Sequence, residues 1–319
     1  MDFRLTSDQE ALLSAVDKIA AGFGSKPTEF HGFALMSDAL EKQLEEGGYF
    51  DIAAIPELGP LSAVMAVERL ARLPFTAEIA LSMLVRAQLP GEYSRPLALV
   101  EQGRPGRFVA TAKTILVVAG ETISVVQPTP DQVEPVESIF AYPMGRLKTA
   151  ARGVALSGRE AGTVRQWLRV ALAAEASGLL QAAVACAVDH ISQRKQFGRP
   201  LGTFQALRHR MAECAVLAGG VKWLALKAAA TADAGDAALA AYHAQESATR
   251  IVYDVHQMLA AMGMTLEHPL HLWTYRLKAL LSEQGGRGGQ ALAVAQECFM
   301  APAAVLSEAP WEDRESVQR

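Results

Sequence analysis

From residue 159 almost to its end, the chain is a succession of long Ala- and Leu-rich stretches at 160–194, 203–233, 236–262 and 276–300. Glycines and prolines at 198–202, Gly235, Gly263 and 285–289 separate or interrupt them. Apolar residues recur at helical spacing, and four such segments joined by short links have the layout of an antiparallel four-helix bundle. The segment 164–191 carries apolar residues around most of its circumference. Such a helix needs burial on several sides, so the bundle is expected to supply the main oligomer contact as well as a core.

Upstream, short helices are expected. Thr6 or Ser7 is placed to cap a helix whose apolar positions Leu12, Leu13, Val16, Ile19 and Ala20 follow helical spacing. Helical patterns return at 36–46, 61–71 and 77–86, with Pro56, Gly59 and Pro60 between them. Residues 107–118 and 122–126 are instead rich in β-branched side chains around the turn signal Ala119-Gly120-Glu121, and Pro128, Pro130 and Pro135 follow. The reading is a mainly α fold: an N-terminal helical domain at 1–93, a reduced β middle domain at 94–156 and a C-terminal four-helix bundle at 157–319. No internal repeat is evident, and the last ten residues are charged.

Composition excludes several functions. With 319 residues, half of them apolar, the chain has ample material for a large core. A net charge of −4 with scattered Lys and Arg gives no basic field for nucleic acid. Asp2, Arg4, Asp8 and Glu10 interrupt any apolar leader, and the longest uncharged helical stretch near the middle, 176–188, falls short of the ~20 residues that span a bilayer. A cytoplasmic protein with no membrane partner is the expectation. Cys186, Cys214 and Cys298 are read as reduced core thiols. His31, His190, His209, His243, His256, His268 and His271 lack metal-ligand spacing, so no metal site is expected. Trp273, Tyr275 and Leu277 are read as packing. The glycines from Gly285 to Gly289 follow no strand and are read as a flexible run rather than a phosphate loop.

One motif is specific. Arg194-Lys195-Gln196-Phe197-Gly198-Arg199-Pro200-Leu201, followed by Phe204-Gln205-Ala206-Leu207, ends the first long helix and leads into the second. Arg194 offers a rigid fork of donors for a pyrophosphate, and Phe197 an apolar face for an adenine ring. This octapeptide resembles the signature of the acyl-CoA dehydrogenases. Met1-Asp2-Phe3-Arg4-Leu5-Thr6 and the stretch from Gln257 through Gly263 to Glu267 and Leu270 are similar to that family's opening and to its Gln-x-x-Gly-Gly-x-Gly segment. The resemblance implies the family's fold, FAD as cofactor, and α,β-dehydrogenation of an acyl-CoA thioester. It also implies that Arg194 and Gln205 contact the flavin dinucleotide, and that the Gln257 segment approaches the adenosine half of a flavin held mainly by a neighbouring subunit.

The chain departs from the family pattern in three places. The Thr-Glu-Pro and Gly-Ser-Asp loop that holds the isoalloxazine has no match between Leu99 and Gly153; the nearest run, Gln127-Pro128-Thr129-Pro130, lacks the glycine and two backbone donors. Ala260-Ala261 stands where Gly-Gly is common. The usual catalytic Glu falls on Gln284, which cannot take a proton, and the other position used by some relatives falls near Leu168. Glu283 is adjacent and is the one candidate base, although one residue turns a side chain about 100° around a helix. Glu175, on an apolar stretch, is read as a paired or half-exposed structural carboxylate.

Three functions follow. The first is a flavoprotein subunit that works only with a homologous catalytic subunit, as in similar heteromers acting on bulky steroid-derived thioesters. The alternatives are a self-sufficient FAD enzyme using Glu283, for which the partner would be a second copy in a homo-oligomer, and a flavin-free binding or scaffold protein on the same fold. The retained motifs are those offered to a neighbour's flavin, and this favours the first.

Overall fold

The computed structural model describes residues 3–25, 33, 35–101, 103–148 and 153–300. His31 and the charged tail lie outside them. The fold is mainly α, as expected. Helix α1 (Ser7–Gly22) starts at Thr6, whose side chain accepts the Gln9 N–H while the Gln9 side chain bonds back to the Thr6 N–H. This reciprocal pair satisfies two donors that every helix start leaves open. Helices α2 (Asp38–Glu46) and α3 (Gly59–Ala71) follow, and the pattern at 77–86 resolves into a π-type turn at Leu81–Val85 running into a 3₁₀ turn at Arg86–Gln88.

The β segment is smaller than its β-branched content implies. Strands β1 (Leu97–Glu101), β2 (Thr114–Ala119) and β3 (Thr122–Val126) form a sheet closed on one side by the two-residue β6 (Val154–Ala155), in the order β1-β2-β3-β6. β1 runs parallel to β2, and β2 and β3 form a hairpin turned at Gly120, whose φ of 58° suits glycine. Residues 107–113, expected as strand, are turns and loop, because Arg107 is drawn inward to buried carboxylates. A second pair, β4 (Val133–Pro135) and β5 (Gly145–Leu147), extends from the same region.

Four long helical segments follow. α4 (Gly158–Gln193) opens on a Ser157–Glu160 capping box and carries twenty buried residues, because α3, α5 (Gln205–Thr231), α6 (Ala234–Leu259) and α7 (His271–Leu280) surround it. At Gly178 the α3 backbone comes so near that a Cβ would lie 2.2 Å from the Glu68 carbonyl oxygen, so only glycine fits. The fourth segment is broken: α7 ends at Leu280 and α8 (Gly286–Phe299) begins after a kink in which Gln284 has φ 56°. The Gly285 to Gly289 run, expected to be flexible, contains that kink and the first turn of α8. α4 and α5 are 36 and 27 residues long and, by length and composition, apolar enough to cross a membrane. Both helices carry scattered charges, so neither contains an uncharged run of that length. Most of α4's apolar window is buried in the core, whereas less than half of α5's is, leaving Val216 and Trp223 exposed.

The core is shared. Leu13, Val16, Leu70 and Met83 from the N-terminal helices join Leu168, Leu179, Val255 and Leu280 in one cluster. Arg276 locks the junction, its buried guanidinium donating to the carbonyls of Leu272 (2.6 Å), Phe75 (2.8 Å) and Leu73 (2.5 Å). Trp273 packs, as expected, and donates its indole N–H to the Arg72 carbonyl at 2.8 Å. Cys214 is a core thiol, but Cys186 is half-buried and Cys298 is exposed near the end of α8. The expectation of three core thiols therefore holds for one.

Candidate functional site

One buried cluster of charged side chains joins three parts of the fold. Arg107, at the end of the loop that follows β1, donates from Nη1 to both oxygens of Glu175 in α4, at 3.0 Å each. Its Nε and Nη2 donate to Oε1 and Oε2 of Glu283 at 2.6 and 3.1 Å. Tyr142 donates its hydroxyl to Glu175 Oε1 at 2.7 Å, and the Arg107 guanidinium lies 4.7 Å from the centre of its ring. Arg107 and Glu175 are buried, and the Glu283 side chain is only 16% exposed. One guanidinium thus faces two carboxylates in the two-pronged geometry that arginine suits.

Burial works against charge on Arg107, but Glu175 and then Glu283 hold its pKa well above the ordinary arginine value. Burial, and then the charge of Glu175, push the Tyr142 phenol well above its usual range. Glu175 is thus the paired structural carboxylate expected. Glu283, the candidate base, has both oxygens engaged by Arg107.

The adjoining kink is pinned from several sides. Gln245 of α6 donates to the carbonyls of Leu280 (2.8 Å) and Glu283 (2.9 Å). Gln284 donates to the Leu168 carbonyl at 2.9 Å, and Gln290 donates to the Gln284 carbonyl at 2.8 Å. The Gly285 N–H donates to Glu101 at the end of β1, at 3.0 Å. Gln284 and Leu168, the two positions at which a base was sought, therefore touch each other, and neither carries a carboxylate. Sequence reasoning missed Arg107 and Glu101. Neither residue lies in a motif, since both find their partners only through packing of distant segments.

The signature residues lie elsewhere. α4 ends at Gln193, α5 starts from the same end of the bundle, and α6 returns to it, so Arg194, Phe197, Gln205 and Gln257 share one end. Arg194 follows the last turn of α4, and the two-stranded turn β7 (Lys195–Gln196) and β8 (Arg199–Pro200) carries Phe197 at its tip. Phe197 is 85% exposed and has φ 54°, a left-handed conformation that costs a non-glycine residue free energy. Arg199 stacks 4.1 Å from the centre of Phe204, and the Gln205 amide lies 3.4 Å from His209. Gln257 is exposed in the last turn of α6. His256 beside it bridges the Gly263 carbonyl (2.6 Å) and Thr274 (3.0 Å), which anchors the segment. Partial burial, and then the charge of Arg194, hold His190 below the usual histidine range. Among the described residues no group of His, Cys, Asp and Glu has the arrangement to hold a metal ion.

Residues 160–300 match the model of the acyl-CoA dehydrogenase C-terminal domain. Over this stretch, somewhat less than half of the chain, the protein is similar to the acyl-CoA dehydrogenases. Acyl-CoA dehydrogenase FadE28 of Mycobacterium tuberculosis is 28% identical over 193 residues, 56% of this chain and 56% of that protein, so the match spans about half of the relative's length. Butyryl-CoA dehydrogenase of Megasphaera elsdenii superposes with a TM-score of 0.73 at 18% identity, covering 92% of this chain and 99% of that one. A chain of the ChsE4–ChsE5 complex of Mycobacterium tuberculosis gives 0.71 at 20% identity, covering 97% and 100%. At these identities the superpositions establish the acyl-CoA dehydrogenase fold.

A flavin dinucleotide needs a slot for its ring and donors for its pyrophosphate. The cavity beside Glu283, bordered by Leu99, Arg104, Gly106 and Ser282, has a volume of about 350 Å³, and the Arg107 ion pairs form one wall. At Gly106 a Cβ would lie 2.2 Å from the Leu99 carbonyl oxygen, so the loop is already closed upon β1. The residues of this cleft do not fit a flavin ring. Those at the bundle end fit the dinucleotide half: Arg194 and Gln205 could hold it, with Phe197 as an aromatic face, and all three are exposed.

Proposed function

We propose that this chain is the non-catalytic subunit of a heteromeric acyl-CoA dehydrogenase. A homologous partner brings the base and the isoalloxazine pocket, and this chain contributes Arg194, Phe197, Gln205 and the Gln257 segment to the partner's FAD. The observation that carries the reading is the state of Glu283. Its carboxylate is bonded through both oxygens to Arg107, so it is held in a two-pronged ion pair rather than standing free in the cleft. Gln284 beside it is not a base. The bundle end, by contrast, presents an arginine, an aromatic ring held in a strained backbone and two amides toward solvent.

Two further observations support a partner chain. α5 displays Val216 and Trp223, and Tyr253 of α6 is 68% exposed, so the bundle keeps apolar surface that a second chain would cover. The ChsE4–ChsE5 structure, which shares the fold, is itself a complex of two named components. The substrate under this reading is an acyl-CoA thioester bound on the partner, with a bulky steroid-derived acyl group as the class to try first.

Co-expression with a fuller homologue tests this. The expected result is a co-purifying pair of unlike chains with about one flavin per pair, while the lone chain is colourless and inert toward acyl-CoA. A lone chain that holds stoichiometric flavin and loses thioester turnover on Glu283→Gln would replace the proposal with a self-sufficient enzyme.

A further inference from the structure

A second cavity, of about 420 Å³, opens on the other side of the Gln284 kink, between the β2–β3 turn, the first half of α4 and the start of α8. Three arginines line it. Arg104 stands at the rim, its side chain 67% exposed. Arg165 is fixed across the mouth by donating from Nη2 to the Gly120 carbonyl at 2.9 Å. Arg169 is buried, and its nearest acid, Glu297, is 3.8 Å away. Glu101 also lines the cavity, but its carboxylate is already engaged by the Gly285 N–H at 3.0 Å and lies 3.5 Å from Arg104. Among the residues that line the cavity, three arginines therefore accompany one acid, while Glu297 and Glu121 act on Arg169 from outside it. Burial, partly offset by Glu297, holds the Arg169 pKa below the ordinary arginine value, so an added negative charge would be favoured there.

The inner end has a second character. Gln284 and Gln290 both line the cavity, and each keeps a buried amide oxygen with no hydrogen-bond partner among the described residues. Their amide nitrogens donate to the carbonyls of Leu168 and Gln284. Flipping either amide would set oxygen against oxygen, so the unpaired atoms are acceptors and not donors. An acceptor left unpaired in the interior is destabilising, and a hydroxyl or N–H group supplied from the cavity would satisfy it.

We infer that this cavity binds a compact oxyanion that also carries a hydrogen-bond donor, of the hydrogen-phosphate or phosphomonoester class. The arginines take the charge, and Gln290 and Gln284 take the donor. The base positions of the family's cleft, Gln284 and Leu168, thus line a site for binding an anion. The inference does not depend on a partner chain, so its failure would leave the proposed function untouched, and the reverse holds.

Inorganic phosphate and sulfate decide it, because near neutral pH phosphate keeps an O–H and sulfate has none. Calorimetric titration of the full chain is expected to show phosphate binding at least about tenfold more tightly than sulfate. Gln290→Leu brings phosphate down to the sulfate level, Arg169→Gln weakens both by about tenfold or more, and Lys42→Gln, on the exposed face of α2, changes neither. If circular dichroism shows that Arg169→Gln is misfolded, Arg165→Gln at the mouth carries the same expectation. Absence of phosphate binding, equal affinity for the two anions, or binding indifferent to both arginine substitutions would overturn the inference.

Discussion

The two charged regions of this protein are opposites in how they use arginine. At the kink, Arg107 is buried with every direction of its guanidinium taken by Glu175, Glu283 and the Tyr142 ring. At the bundle end, Arg194 and Arg199 stand in an exposed turn beside a phenylalanine that is 85% exposed. A buried guanidinium between two carboxylates is a closed unit, because removing any member leaves an uncompensated charge in the interior. An exposed arginine beside an exposed ring has little to do for the fold and is available to another molecule. The difference locates self-contained structure at the kink and intermolecular chemistry at the bundle end.

The comparison breaks most easily at Arg107. Arg107→Ala leaves two carboxylates facing each other without a cation, and the expected loss is about 3–5 kcal/mol, read as a lowered denaturation midpoint. A wild-type midpoint would mean that the cluster is not the closed unit described. At the other end, Arg194→Ala is expected to leave the midpoint of the lone chain within about 0.5 kcal/mol of wild type. In the complex with a catalytic partner it should weaken flavin retention by about tenfold or more, since a hydrogen bond to a charged group is worth about 1.5–3 kcal/mol. Unchanged flavin affinity would remove Arg194 from the site.

Glu283→Gln separates stability from catalysis. The substitution removes one of the two charges facing Arg107 and is expected to cost about 1–3 kcal/mol, while turnover by the complex stays near wild type. Loss of turnover with an unchanged midpoint would make Glu283 the base and reverse the assignment.

The smallest effect concerns pH. Burial, and then the charge of Asp254, which accepts the Cys214 thiol hydrogen bond, push that thiol up to about 12. Its native pKa lies above the unfolded value of about 8.5, so the folded state holds the proton longer. The contribution to stability is full below about pH 8.5 and is lost as the pH rises toward 12. Denaturation midpoints of Cys214→Ala should therefore fall less steeply than wild type over that alkaline range. The exposed Cys298 should react with a thiol reagent in the native state well before Cys214 does.

Much of this protein was determined by its sequence alone. Helical periodicity set the bundle, the Ala119-Gly120-Glu121 signal set the β2–β3 hairpin, and the Arg194 octapeptide set the likeness to the acyl-CoA dehydrogenases, because each is a local pattern whose physics acts within a few turns of chain. The extent of the sheet was misread, since β-branched residues at 107–113 favour a strand locally while the pull of two distant carboxylates on Arg107 decides otherwise. Only the tertiary structure brought Arg107 to Glu175 and Glu283, 68 and 176 residues away along the chain. Desolvated charge pairing acts through space and leaves no spacing in sequence. The same holds for the kink: Gln284 was visible as a missing base, but that Leu168, Gln290 and Glu101 converge on it depended on how α4, α8 and β1 pack.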